Sequence, residues 1–171
     1  NVHNAVAAAA LALAAGLSLA EVSDGLRNFS NIKGRLNIKQ GIKGATLIDD
    51  TYNANPDSMK AAIDVLAAMP APRIFVMGDM GELGEDEAAA MHAEVGAYAR
   101  DKGIEAAYFV GDNSVEAAEM FGAEGLWFAD KDPLIQVLSH DLPERSTVLV
   151  KGSRFMKMEE VVEALTDKEV V

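Results

Sequence analysis

Residues 45–80 read ATLIDDTYNANPDSMKAAIDVLAAMPAPRIFVMGDM, and the rhythm of this stretch changes three times. Ala45 to Asp49 is a short run with branched side chains, of strand length. A polar segment follows, Thr51-Tyr52-Asn53-Ala54-Asn55-Pro56, in which Asn55 and Pro56 supply the N-cap and first-turn residues of a helix. Met59, Ala62, Ile63 and Leu66 then recur at helical spacing, and Arg73 to Gly78 is again a compact apolar run. Strand, helix and strand in this order are the repeating unit of a parallel sheet covered by helices.

Working outward, the same alternation continues. Further strands are expected at Leu36 to Gln40, Ala106 to Gly111, Leu126 to Ala129 and Thr147 to Val150, and Gly41 and Gly44 turn the first pair into a hairpin. Ala88, Met91, Val95 and Tyr98 make a second helical stripe, and Met158, Val161, Val162 and Leu165 a third. The expectation is an α/β fold with a Rossmann-like, mostly parallel sheet and helices on both faces. Upstream the pattern is different. The apolar run Ala5 to Leu17 is too short to span a bilayer and has no Lys or Arg before it, as a secretory signal would. It reads as a buried, alanine-rich helix ending near Gly16, and Ser18 with Glu21 forms a capping box that starts a second helix running to about Asn28. Two such helices cannot enclose a core of their own. Residues 1–36 are therefore expected to be the end of a domain whose larger part lies elsewhere, and residues 37–171 a compact α/β domain.

Composition excludes several function classes. The chain has 171 residues, 50% of them hydrophobic and 25% charged, which is ordinary for a globular protein. A formal charge of -12 disfavours binding to a nucleic-acid backbone. With no cysteine and 3 histidines, neither a disulfide framework nor a Cys-ligated or His-rich metal site is expected, and a cytosolic setting fits. The charge is unevenly spread. Arg27, Lys33, Arg35, Lys39 and Lys43 form one basic island and Arg145, Lys151, Arg154 and Lys157 another, each without an intervening acid. Either both are solvated, or an anionic small molecule is held between them.

Position along the strands favours the second alternative. In open parallel sheets the ligand crevice lies at the carboxyl ends of the strands. There the sequence places Asp49-Asp50, Gly78-Asp79, Gly111-Asp112, Asp130 and Lys151-Gly152-Ser153. Asp112 and Asp130 read as turn or cap residues, as such carboxylates usually do. Asp50 is not needed as a cap, because Asn55 and Pro56 already start the next helix. Gly78, Gly81 and Gly84 do not make the G-x-G-x-x-G dinucleotide fingerprint, no phosphate-binding P-loop occurs, and His92, lacking a second histidine one turn away, reads as a surface or packing residue.

Three strings carry a family resemblance: Leu47-Ile48-Asp49-Asp50-Thr51-Tyr52-Asn53-Ala54-Asn55-Pro56-Asp57-Ser58-Met59, Gly78-Asp79-Met80-Gly81-Glu82-Leu83-Gly84 and Val148-Leu149-Val150-Lys151-Gly152-Ser153-Arg154. With the opening Asn1-Val2-His3-Asn4-Ala5, they resemble the Mur ligases, over essentially the whole chain and in the family's order. The branch they resemble most implies an ATP-dependent ligase of peptidoglycan precursor synthesis in the bacterial cytoplasm. Such an enzyme phosphorylates the terminal carboxylate of a UDP-N-acetylmuramoyl tripeptide and lets the amine of D-alanyl-D-alanine attack, with Mg2+ on the phosphates. The resemblance assigns Asn4 to the adenine, Arg35 to the nucleotide and Asp50 to the ribose hydroxyls, all as ATP-binding residues. Lys151 is the implied catalytic residue, offsetting charge on the acyl phosphate, and Lys151 and Ser153 face the growing peptide. Asn53 and Asn55 are candidates for the incoming dipeptide.

The departures matter as much. The family's P-loop, magnesium ligands and UDP-binding domain are not in this sequence, so the chain reads as a carboxy-terminal fragment, inactive alone, with no ligand or metal expected to be bound to it. The first two helices, stripped of their neighbours, are expected to self-associate. The runner-up is a receiver-like phosphoacceptor module, whose acidic pair, later aspartate and final lysine are imitated by Asp49-Asp50, Asp79 or Asp112, and Lys151. The intervals between these residues argue against it.

Overall fold

The computed structural model describes residues 2–29 and 32–167. It consists of two units, Asn1–Asn31 and Ile32–Val171. The first holds α1 (Val2–Ala14) and α2 (Leu19–Arg27). The capping box forms as the sequence predicts: Ser18 Oγ accepts from the Glu21 amide at 3.3 Å, and the Ser18 amide donates back to Glu21 Oε2 at 2.8 Å. The expectation that α1 is buried is not met. Val6, Leu11 and Leu13 are exposed, and Val22 is the buried apolar side chain of this unit among the described residues. Helices of 13 and 9 residues offer each other too little surface to cover both.

The second unit contains β1 (Asn37–Gln40), β2 (Thr46–Asp50), α3 (Pro56–Ala67), β3 (Arg73–Gly78), α4 (Glu85–Asp101), β4 (Ala106–Val110), α5 (Ser114–Phe121), β5 (Gly125–Phe128), α6 (Lys131–Asp141), β6 (Thr147–Lys151) and α7 (Glu159–Leu165). Each expected strand is present. The sheet order is β1-β2-β6-β3-β4-β5, with β1 antiparallel to β2 and every other pair parallel. The first pair is the hairpin signalled by Gly41 and Gly44; its turn contains Lys43 at φ 54 and Gly44 at φ 71.

Successive residues of a strand point to opposite faces, and here both faces are covered. Ile48, Phe75, Met77, Phe109 and Leu149 pack under α3, α4 and α5, through Met59, Ile63, Leu66, Val95, Ala99, Ala117 and Phe121. Leu47, Ile74, Val76, Val110, Val148 and Val150 pack under α6 and α7, through Leu134, Leu138, Val161, Val162 and Leu165. Truncating one such buried side chain, Leu66 to Ala for example, costs about 2–5 kcal/mol.

The right-handedness of parallel crossovers explains which helix covers which face. From β2 to β3, β3 to β4 and β4 to β5 the chain moves one way across the sheet, so α3, α4 and α5 share a face. From β5 to β6 it returns, so α6 lies on the other face, and α7 follows β6 there. The strand β6 is thus flanked by β2 and β3, whose connections leave on the opposite face from its own. A crevice opens at the carboxyl end of the strands where neighbouring connections diverge.

Candidate functional site

That divergence falls where the sequence places its chemistry. Asp50 and Lys151, the last residues of β2 and β6, are register partners in adjacent parallel strands. Lys151 Nζ donates to Asp50 Oδ2 at 2.6 Å and to the Asn53 carbonyl at 2.9 Å. Both side chains are withdrawn from solvent, 4% exposed for Lys151 and 13% for Asp50. The other oxygen of Asp50, Oδ1, accepts from the Leu36 amide at 3.1 Å. A carboxylate so held has a fixed direction, as a group facing a diol requires. Lys151 in turn works in this structure as an anchor for Asp50 and for the start of the Asn53 loop.

Arg35 joins them from the segment before β1. Its guanidinium lies over the Tyr52 ring, 4.5 Å from the centroid, two residues beyond Asp50. The Tyr52 amide donates to the Gly34 carbonyl at 2.9 Å, which clamps the two segments together. Gly34 is at φ +75, and a Cβ there would meet the Tyr52 amide nitrogen at 3.1 Å, so the close approach needs glycine. Arg35, Asp50 and Lys151, far apart in sequence, therefore converge on one edge.

The other expected residues divide. Ser153 is buried, and its hydroxyl accepts from the Gly81 amide at 2.7 Å and donates to the Ala54 carbonyl at 3.3 Å, clasping the loops after β2, β3 and β6. Asn55 Oδ1 caps α3 by accepting from the Ser58 amide at 2.8 Å, and Ser58 Oγ accepts from the Asn55 amide at 3.0 Å. Asn53 is exposed, with Oδ1 accepting from the Ala54 amide at 2.9 Å. Asn4 is an exposed residue of α1 in the other unit. Asn1, the start of the quoted opening string, lies outside the described residues.

Two expectations are corrected. The basic islands do not face one another as wholes: Arg35 of the first and Lys151 of the second share the strand-exit edge, but other members lie elsewhere. Lys39 pairs with the buried Asp49 at 2.8 Å, and Lys43 and Arg145 meet at the opposite edge, where the Arg145 amide donates to the Lys43 carbonyl at 3.0 Å. A strand of 5 residues separates its ends by roughly 17 Å, so neighbours in a charge island end on opposite edges of the sheet. The Asp79 side chain does not project from the strand-exit edge either. It is 5% exposed and turned under α5, where Oδ1 accepts from Ser114 Oγ at 2.6 Å and Oδ2 from the Asn113 amide at 3.1 Å. A carboxylate there complements the positive end of a helix.

Two contributors were not singled out by the sequence as part of this edge: Tyr52, which receives Arg35, and His92 of α4, which is fully buried. His92 Nε2 accepts from the Met80 amide at 2.9 Å, and Nδ1 lies 2.7 Å from the Ala88 carbonyl. The signal for His92 was its place four residues after Ala88 and three before Val95, on the buried stripe.

Comparison with known proteins addresses the same residues. A family model described as "Mur ligase, glutamate ligase domain" matches residues 34–154. The UDP-N-acetylmuramoyl-tripeptide--D-alanyl-D-alanine ligase of Escherichia coli (strain K12) is 45% identical over 169 residues, covering 98% of this chain and 37% of the relative. A crystal structure of MurF from Acinetobacter baumannii superposes with TM-score 0.83 at 39% identity, over 95% of this chain and 36% of that one. MurF ligase from Thermotoga maritima in complex with ADP gives TM-score 0.76 at 25% identity, over 91% of this chain and 35% of that one. The chain thus spans little more than a third of the length of the relatives it matches.

Proposed function

Because the chain belongs to the Mur ligases, we propose that its strand-exit edge serves an ATP-dependent ligase that joins D-alanyl-D-alanine to a UDP-N-acetylmuramoyl tripeptide in the bacterial cytoplasm. The observation that carries the reading is the convergence of Arg35, Asp50 and Lys151 where the sheet connections diverge. Relatives of the same name at 45% and 44% identity, each matched over 98% of this chain, support the choice of substrates.

In the proposed reaction the terminal carboxylate of the tripeptide takes the terminal phosphoryl group of ATP, giving an acyl phosphate and ADP. The amine of D-alanyl-D-alanine then attacks the acyl carbon, the amide forms, and phosphate leaves. The side chains described here position the reactants. Asp50, held by Lys151 and the Leu36 amide, presents a fixed acceptor to the ribose hydroxyls. Arg35 swings from Tyr52 to the nucleotide as a charged fork of donors. Lys151 has three N–H donors and two are used, so one remains for an oxygen of the acyl intermediate. Asn53 and Asn55, whose Oδ1 atoms accept from the Ala54 and Ser58 amides, offer their side-chain NH2 groups to the dipeptide carboxylate, and Ser153 holds the loops between which it sits. Asn4 is assigned to the adenine.

Among the described residues no three His, Asp or Glu side chains converge, and Asp50 is already neutralised by Lys151. These residues do not fit a magnesium site. In the proposed organisation residues 1–36 end a nucleotide-holding domain and residues 37–171 form the peptide-joining domain. The 171 residues alone are expected not to ligate, and α1 and α2 to promote self-association in sedimentation experiments. The experiment is ADP release by the enzyme that carries this chain. Release beyond one equivalent per enzyme should require both UDP-N-acetylmuramoyl tripeptide and D-alanyl-D-alanine; sustained release that ignores the dipeptide would refute the proposal.

A further inference from the structure

We infer that His92, a residue of α4 with no exposed surface, is a positioning residue that sets the loop between β3 and α4 through the lone pair of Nε2. The hydrogen bonds fix which ring nitrogen carries the proton. The Met80 amide can only donate, so Nε2, 2.9 Å away, is the acceptor. The Ala88 carbonyl can only accept, so Nδ1, 2.7 Å away, is the donor. The ring is thereby the Nδ1–H tautomer, an assignment from the network around it.

The consequence is felt three residues deep. Asp79, Met80 and Gly81 are consecutive and each is tied down. The Asp79 carbonyl accepts from the Ser153 amide at 3.0 Å, the Met80 amide donates to His92, and the Gly81 amide donates to Ser153 Oγ at 2.7 Å. Ser153 Oγ in turn reaches the Ala54 carbonyl at 3.3 Å. His92 is therefore one amide away from the hydroxyl that clasps the loops after β2, β3 and β6. The Asp79 carboxylate is held by other partners, Oδ1 accepting from Ser114 Oγ at 2.6 Å and Oδ2 from the Asn113 amide at 3.1 Å, and at 3.7 Å from His92 Nε2 it makes no hydrogen bond to the ring. A proton on Nε2 would face the Met80 N–H, donor against donor, so the other tautomer cannot hold this loop. A plain packing residue at this place would fill the same volume and leave the Met80 amide without an acceptor, which in a buried site is costly.

The effect on the loop does not depend on the ligase reading; its effect on ligation rests on that reading. The first arm uses this 171-residue chain and nitrogen-15 spectra of its histidine rings. His92 is expected to show an unprotonated Nε2 and a protonated Nδ1. The second arm compares amide exchange in His92→Gln, whose side-chain carbonyl can replace the Nε2 acceptor, with His92→Phe, which fills space only. In His92→Phe the Met80 and Gly81 amides are expected to exchange about tenfold faster relative to Val76, and in His92→Gln to stay close to wild type. A protonated Nε2 in the wild type, or equal exchange in the two variants, overturns the inference. Should His92→Phe fail to fold, the wild-type spectrum and the His92→Gln exchange decide it. In the ligase, His92→Phe should lower kcat/KM about tenfold and His92→Gln should restore it, as misplacement remote from the chemistry does. Equal activity of both variants and wild type would contradict the positioning role, whereas a wild-type enzyme that does not ligate would refute the ligase reading and leave the spectra standing.

Discussion

Substituting Lys151 by Met tests whether the pair at the exit edge is a coupled unit. The ammonium lies 2.6 Å from Asp50 Oδ2 with the two side chains 4% and 13% exposed, and it also donates to the Asn53 carbonyl. Breaking one partner of a buried pair costs roughly 3–5 kcal/mol, because the other charge is left behind. Asp50 keeps the Leu36 amide and some contact with water, which places Lys151→Met at the lower end, about 3 kcal/mol. Asp50→Asn keeps an acceptor for Leu36 and leaves Lys151 facing a neutral amide, at about 2–3 kcal/mol. In the double variant no charge is stranded, so the two costs should not add. A coupling of at least about 1.5 kcal/mol is expected, against about 0.2–1 kcal/mol for a solvent-exposed pair. Urea unfolding of the four proteins measures it, read by the fluorescence of Trp127, the single tryptophan, which lies in β5 of the same unit. A coupling below about 0.5 kcal/mol at unchanged m-value would refute the description of Asp50 and Lys151 as a desolvated, mutually oriented pair.

Three further outcomes follow from the geometry. Gly111 is at φ +116 and a Cβ there would meet the Asp79 carboxyl carbon at 2.4 Å, so Gly111→Ala should cost at least about 2 kcal/mol in the same unfolding assay. Asn55→Ala removes the capping box of α3 and should cost about 1 kcal/mol, visible as a lowered Tm. The Arg73 guanidinium, paired with Glu105 at 2.7 Å, holds the Glu105 carboxyl below its ordinary value of 4.5. Its folded value is the depressed one, so the stability it confers is full above 4.5 and is lost as pH falls through the folded value. Glu105→Gln should therefore be less stable than wild type at neutral pH, by about 1 kcal/mol or less for so exposed a pair, and the difference should vanish in acid; a difference constant across that range would be the contrary result.

Much of the fold was legible because its signals are local. The strands are bounded by polar or glycine-containing segments, and the helical stripes at Met59 to Leu66 and Met158 to Leu165 are buried as their spacing implies. The candidate site was legible in part. Asp50 and Lys151 could be placed on one edge because both end parallel strands, but their contact depends on β6 inserting between β2 and β3, a matter of strand order that periodicity does not encode. The basic islands misled for the same reason: Lys43 and Arg145 precede their strands, and Lys151 ends one. Asp79 was assigned to the rim from its place after β3. Its side chain turns inward because the N-terminus of α5, which approaches from a distant part of the sequence, offers it Ser114 and the Asn113 amide. The exposure of α1 reflects how little surface two short helices can cover, whatever their apolar content.

The central claim is that the strand-exit edge faces the nucleotide and the reacting peptide. Arg35 tests it most directly, because it is exposed and its guanidinium rests on the Tyr52 ring, so Arg35→Gln should leave stability within about 0.5 kcal/mol of wild type. In the enzyme that carries this chain, the same substitution should raise the KM for ATP at least about tenfold, the worth of a lost charge-assisted hydrogen bond. An unchanged KM for ATP in a variant of wild-type stability would contradict the account.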